Sequence, residues 1–254
     1  MHVLRGLLKA YVTSFHFSFC GACLIFAMGL GAFISSVGRA TMGILFLLAL
    51  MKGVRGDPEL LQDFCVADTQ SSVFTNGLPC LDPAKVTAQH FVTSVLRTPG
   101  NTSGTPTAAS FTGVNPQNLP GLNTLGITLA RIDIGVGGIT GPHIHPRGSE
   151  ISYVLQGKIL AGFVEPRANK LFSVTLEAGD VFVVPKGTLH FAQNVGDTEA
   201  VAINALSSQN PGFLYLPLAT FASTPGIPQD ILAKSFAITE AQVDQIKKSL
   251  GGGS

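Results

Sequence analysis

An all-β fold, a barrel or sandwich followed by a helical tail, is what the sequence predicts, on three observations. Short β-type runs recur at 127–134, 150–156, 158–164, 171–176, 181–184, 189–194 and 200–206, and strands at such spacing build barrels and sandwiches. Twenty-nine glycines and fifteen prolines punctuate the chain in the manner of turns. Near the C-terminus the apolar period then changes from that of a strand to that of a helix.

The chain opens on an apolar leader, in which 17–37 and 42–51 are hydrophobic stretches separated by Arg39. The second is short of the roughly 20 apolar residues that span a bilayer. It suits the core of a secretory signal, with Val54 and Gly56 as the small residues before a cleavage after Gly56. Met42 would begin a conventional signal peptide, 42–56, by itself, which makes 1–41 an upstream extension. The competing reading treats the first stretch as a membrane anchor or part of a helical hairpin, although its Gly and Ser residues weaken it. Cleavage leaves one secreted domain, 57–254, with no stable membrane insertion.

Within that domain, 57–105 reads as an arm. One short helix is expected over 83–96, with Asp82 as its cap. Cys20 and Cys23 belong to the leader, so Cys65 and Cys80 are the one pair left in the mature chain. An even pair in a secreted protein suggests a disulfide, two buried thiols being the alternative. Closing that loop of about 15 residues would stabilise the fold by roughly 3 kcal/mol. Asn101-Thr102-Ser103 is a glycosylation sequon among Gly, Pro, Ser and Thr residues typical of a surface loop.

The barrel is expected over about 106–222. Ile151, Tyr153 and Leu155 alternate with Glu150, Ser152 and Val154, the period of a strand with one face in the core. Helices are expected over about 228–250, the first starting near Asp230. Thr239 and Gln242 make a capping box, and Val243, Ile246 and Leu250 share a helical face before Gly251 ends it. That face needs a partner, either its own barrel or a neighbouring subunit.

A formal charge of +1 and 12% charged residues exclude the broad basic surface that nucleic-acid binding requires. Chemistry concentrates instead in His143, His145, Glu150 and His190. Residues two apart on extended chain point to the same side, so His143 and His145 share a face. Glu150 follows the turn 146–149, and His190 follows the turn 185–187. The HxH pair alone is more often a chance surface pair. With Glu150 and His190 it becomes an N3O set suited to a divalent first-row ion with open positions.

These residues fall into two patterns. Gly137-x5-His143-x-His145-x4-Glu150-x6-Gly157 and Gly179-x5-Pro185-x-Gly187-x2-His190-x3-Asn194 resemble the two cupin motifs. Asp57-Pro58, the segment 61–68 and Asn76-Gly77-Leu78-Pro79-Cys80 further resemble plant germins and germin-like proteins. The resemblance implies a jelly-roll barrel, a Cys65–Cys80 disulfide and one Mn2+ per subunit on His143, His145, Glu150 and His190. It also implies an apoplastic or cell-wall glycoprotein assembled as a hexamer, a trimer of dimers, through the C-terminal helices.

Oxalate-oxidising germins carry substrate-holding asparagines at positions that match Ala130 and Thr140. Alanine donates no hydrogen bond and threonine only a shorter hydroxyl, so oxalate oxidation is disfavoured. A manganese superoxide dismutase acting in oxidative or defence responses is the expected activity. A non-enzymatic wall, receptor or storage protein with a structural metal is the alternative. Lys186 and Arg147, beside the ligands, read as solvated turn charges, and His90 as an ordinary arm residue.

Overall fold

In the computed structural model, residues 62–73, 75 and 77–251 are described. The signal-peptide, extension and anchor readings, with Cys20 and Cys23, lie outside them. Ten strands follow one another: β1 Ala109–Gly113, β2 Thr128–Ile134, β3 Ile139–Ile144, β4 Glu150–Gln156, β5 Lys158–Glu165, β6 Lys170–Glu177, β7 Val181–Val184, β8 Leu189–Asn194, β9 Ala200–Leu206 and β10 Leu214–Tyr215. Four of the seven expected runs have the expected bounds; β2 and β5 differ by a residue at one end, and β6 by a residue at each end.

The strands form two antiparallel five-stranded sheets, in the orders β1-β2-β9-β4-β7 and β10-β3-β8-β5-β6. This is the jelly-roll barrel with C-terminal helices that the resemblance implies. Between the sheets lies a core of Ala130, Ile132, Ile134, Val154, Ile159, Ala161, Leu176, Ala200, Ala202 and Leu206. The many alanines leave room inside.

Strands β1, β3 and β10 escape the periodicity argument for separate reasons. β1 has one large apolar side chain, Phe111, and it faces outward, 56% exposed. β3 carries Pro142 where its register against β8 shifts, a bulge that frees the missing N–H from the ladder. β10 is two residues long.

In β4 the period of two holds, and its sidedness is informative. Glu150 and Val154 are buried and Ser152 is half-buried, whereas Ile151, Tyr153 and Leu155 are 45%, 45% and 52% exposed. The polar members of the alternation thus face the barrel interior. β4 passes to β5 through Gly157 alone, at φ +82°, where a Cβ would stand 2.7 Å from Ala200 Cα. Only glycine tolerates both conditions.

Asn194, the last residue of the second motif, is 1% exposed. Its Nδ2 donates to the carbonyls of Ile134 (2.9 Å), Gly135 (3.1 Å) and Thr198 (2.7 Å), and its Oδ1 accepts from Gly196 N at 2.9 Å. It staples the β2–β3 turn to the β8–β9 turn.

The arm is tied down by the Cys65–Cys80 disulfide and by backbone bonds such as Ala67 N to Pro120 O, 2.9 Å. Further along, buried Asp133 accepts from Arg131 and from Gly100 N at 2.9 Å. The helix expected over 83–96 is not continuous. Three 3-10 turns, Pro83–Lys85, Ala88–Phe91 and Val95–Arg97, stand there instead, and Asp82 caps the first by accepting from Ala84 N at 3.0 Å. Val86, Thr87 and Val92 between them are extended, as β-branched side chains favour. His90 bonds only locally, accepting from Thr87 N at 3.0 Å.

After β10 come α1 Leu216–Phe221, α2 Gln229–Phe236 and α3 Glu240–Ser249. The Thr239–Gln242 capping box forms, with Thr239 N donating to Gln242 Oε1 at 2.8 Å. Leu232 of α2 and Val243 of α3 are buried as the two helices pack together. Among the described residues no helix is long and apolar enough to cross a membrane.

Candidate metal centre

β3 and β8 are neighbours, and their register sets His143 directly opposite His190. His145 lies just past the end of β3, and Glu150 opens β4 in the other sheet. The intervening turn is held by Arg147, whose Nε donates to Asn210 O at 2.6 Å and whose second guanidinium nitrogen donates to Asn210 Oδ1 at 2.8 Å. Arg147 is therefore engaged as a clamp on this loop, while Lys186 is exposed.

The four residues converge between the sheets and are buried: His143, His145 and Glu150 are 6% exposed and His190 is 4%. Ring centroids are 4.0 Å apart for His143 and His190, 5.1 Å for His143 and His145, and 5.2 Å for His145 and His190. Glu150 Oε2 is 3.0 Å from His145 Nε2 and 3.7 Å from His190 Nε2. The three histidines are arranged for a metal ion, each offering one nitrogen within 4.8 Å of the others.

Backbone carbonyls decide which nitrogen each ring offers. Nδ1 of His143 meets Gly141 O at 2.9 Å, Nδ1 of His190 meets Thr188 O at 2.9 Å, and Nδ1 of His145 meets Gly212 O. A carbonyl only accepts, so each Nδ1 carries a proton and donates, leaving Nε2 to face the centre as a ligand, in His145 once the proton it shares with Glu150 Oε2 has left. His190 Nε2 is buried with no hydrogen-bond partner among the described residues. A buried acceptor without a donor is costly. An ion at the centre would answer that deficit, so the residues fit a metal.

Charges bear this out. Burial first, then neighbouring His190, pushes His143 down to about 4. Burial also lowers His145, but its bonds to Glu150 and to the Gly212 carbonyl outweigh it and leave the group raised above 6.5. Glu150 resists burial because His145 and His190 stand beside its carboxylate, and it is held well below the usual carboxylate range. An ion entering below the raised range of His145 therefore displaces its proton, while His143, held down to about 4, is already neutral. Affinity should fall about tenfold per pH unit below 6.5, the ordinary histidine value above which His145 is raised, and more steeply once His143 protonates near 4. Competition titrations of Mn2+ across that range would show the break, and a pH-independent constant would contradict it.

Beside the histidines lies a cavity of about 90 Å³, lined among others by Ala130, Thr140, Ser152, Ala161, Ala192, Asn204 and Phe213. Both positions expected to govern oxalate binding are in this wall. Ala130 offers only a methyl group, and Thr140 Oγ1 is within 3.4 Å of Ala192 O, to which it donates. The Phe213 ring, 4.6 Å from that of His143, stands between Phe111 and Tyr215, each at 6.3 Å. Periodicity could not find Phe213, which lies in a loop far along the chain from the histidines. Nor could it find Asn204, although Ser152 was open to recognition as the same-face neighbour of Glu150.

Residues 94–244 match the Cupin family. The chain is 47% identical over 206 residues to germin-like protein 5-1 of Oryza sativa subsp. japonica, covering 80% of this chain and 91% of that one. It belongs to the germin-like cupins. Germin-like protein subfamily 2 member 1 of Arabidopsis thaliana is 45% identical over 210 residues, covering 82% of this germin-like chain and 95% of its relative. Among solved structures, an oxalate oxidase in complex with the substrate analogue glycolate superposes with a TM-score of 0.74 at 41% identity. That match covers 78% of this chain and 100% of the other.

Proposed function

We propose that this germin-like cupin is a secreted manganese protein that dismutes superoxide, its ion held by His143, His145, Glu150 and His190. The observation that carries the reading is the convergence of three histidine nitrogens and one Glu150 oxygen beside a cavity of about 90 Å³. When bound, manganese supplies one-electron redox chemistry, so that two superoxide ions and two protons give dioxygen and hydrogen peroxide. The histidines fix the donor directions, Glu150 offsets charge, and Phe213 with the apolar wall limits water.

Loading the protein with Mn2+ or with redox-inert Zn2+ tests this directly. Only the manganese form should consume superoxide, releasing one peroxide for every two superoxide ions; equal rates for the two metals would sink the reading. Oxalate oxidation has the likeness to oxalate oxidase in its favour. Against it stands the wall at Ala130 and Thr140, and oxalate should yield no peroxide from the same preparation. If neither substrate reacts, the non-enzymatic reading of a structural metal takes over.

Secretion is supported by the Cys65–Cys80 disulfide, a bond of oxidising compartments. Within the domain, 57–254, Asn101 lies exposed in a turn, with Oδ1 accepting from Gly104 N at 3.2 Å, and would carry the glycan. Self-association is supported by the outward face. Leu129, Ile151, Tyr153, Val181 and Val183 are 43–55% exposed there, and a groove of about 960 Å³ is lined by Leu129, Ile151 and Val183 together with Phe91 and Val92. Apolar patches of this kind mark interfaces. Sedimentation should report a hexamer, and the paired substitutions Ile151→Asp and Val183→Asp should reduce its mass; an undiminished assembly would show that this face is not used.

A further inference from the structure

β2, β9 and β4 are adjacent, and their register sets Ala130, Asn204 and Ser152 in one row across the sheet. All three line the cavity. The amide missing at Ala130 is thus present one strand over, but its surroundings differ. Asn204 Nδ2 donates to Glu150 Oε1 at 2.7 Å, and Ser152 Oγ donates to the same oxygen at 2.9 Å. An ionised carboxylate only accepts, which orients the amide with nitrogen toward Glu150 and Oδ1 away from it. Asn204 Oδ1 is then buried with no partner among the described residues.

Resting on the metal reading above, we propose that Ser152 and Asn204 clamp Oε1 of Glu150, so that the carboxylate presents Oε2 alone to the ion. We propose further that Asn204 Oδ1 makes the cavity select small ligands carrying an O–H. Two donors on one oxygen resist rotation of the carboxylate into a two-oxygen grip. The free Oδ1 repels ligand oxygens that carry lone pairs and no hydrogen, and rewards a hydroxyl, because an unmet buried acceptor is costly. Ser152 and Asn204 are positioning residues in the first role, and Asn204 sets specificity in the second. The space of about 90 Å³ admits a ligand of only a few heavy atoms.

Bicarbonate and acetate are suitable probes, being monoanions of nearly one shape that differ by an O–H in place of a methyl group. The full protein, Ser152→Ala and Asn204→Leu would each be titrated with Mn2+ and examined by electron paramagnetic resonance. Each variant should bind Mn2+ at least about tenfold more weakly, with an altered spectrum of the bound ion. The wild type should bind bicarbonate about tenfold more tightly than acetate, and Asn204→Leu should erase that preference. Ser152→Ala, which removes one hydroxyl, serves should the leucine variant misfold. Unchanged affinity and spectrum in the variants overturn the clamp. Equal binding of the two anions by the wild type, or a preference that survives in Asn204→Leu, overturns the selective acceptor. A wild type that binds no Mn2+ overturns the metal reading and this proposal with it, a result distinct from the others.

Discussion

Replacing His190 with alanine should empty the metal centre while leaving the barrel folded. His190 is one of the three histidines arranged for an ion; among the described residues its Nε2 has no partner to orphan, so the protein loses only the Nδ1 bond to Thr188 O. Structural sites gain about 10 to 16 kcal/mol from their ion, so a quarter of that is roughly 3 kcal/mol, a loss of at least about 100-fold in affinity. The protein side of the change is small. β8 keeps its ladder to β3 and β5, and the side chain faces a space that is already partly open. Elemental analysis should find the variant metal-poor, with far-ultraviolet circular dichroism unchanged and with none of the superoxide consumption proposed for the manganese form. Full metal content in His190→Ala would remove this residue from the ligand set.

Asn194→Ala should do the reverse and damage the fold itself. Its amide serves three carbonyls and one N–H in two turns, around a side chain 1% exposed, and the bond to Ile134 O is fully buried. Alanine leaves these groups without partners, at about 1 to 3 kcal/mol for each that water cannot reach, and about 3 to 5 kcal/mol in total is expected. For a domain of this size that lowers Tm by about 10 °C. Calorimetry on the metal-free protein would isolate the effect. A shift below a couple of degrees would mean that water replaces the amide. The two residues share one motif and one strand, yet one would serve an ion and the other serves the chain.

Much of this was legible in the residues. Runs such as 181–184 and 200–206 became strands because β-branched and apolar side chains suit a pleated surface, and the Thr239–Gln242 box became a helix start. His143 and His145 could be placed on one side by spacing alone. Which side of β4 faces inward was not legible, because a hydrophobic alternation names two faces without saying which meets a cavity and which a partner. The 83–96 segment carried a cap and a proline but too many β-branched residues to sustain a helix. The tie between Ser152, Asn204 and Glu150 depends on a cross-strand register between residues about 50 positions apart, which no local pattern encodes.

The sheet division of the four residues has a thermal consequence. His143 and His190 belong to one sheet and Glu150 to the other, so an ion held by all of them would rivet the two halves of the barrel. Opening the sheets would then require releasing the ion. Each tenfold rise in free ion above its dissociation constant would add about 1.4 kcal/mol to the folded state. The melting temperature of this protein would accordingly read the metal supply of its surroundings, and a chelator would act on it as mild heating does.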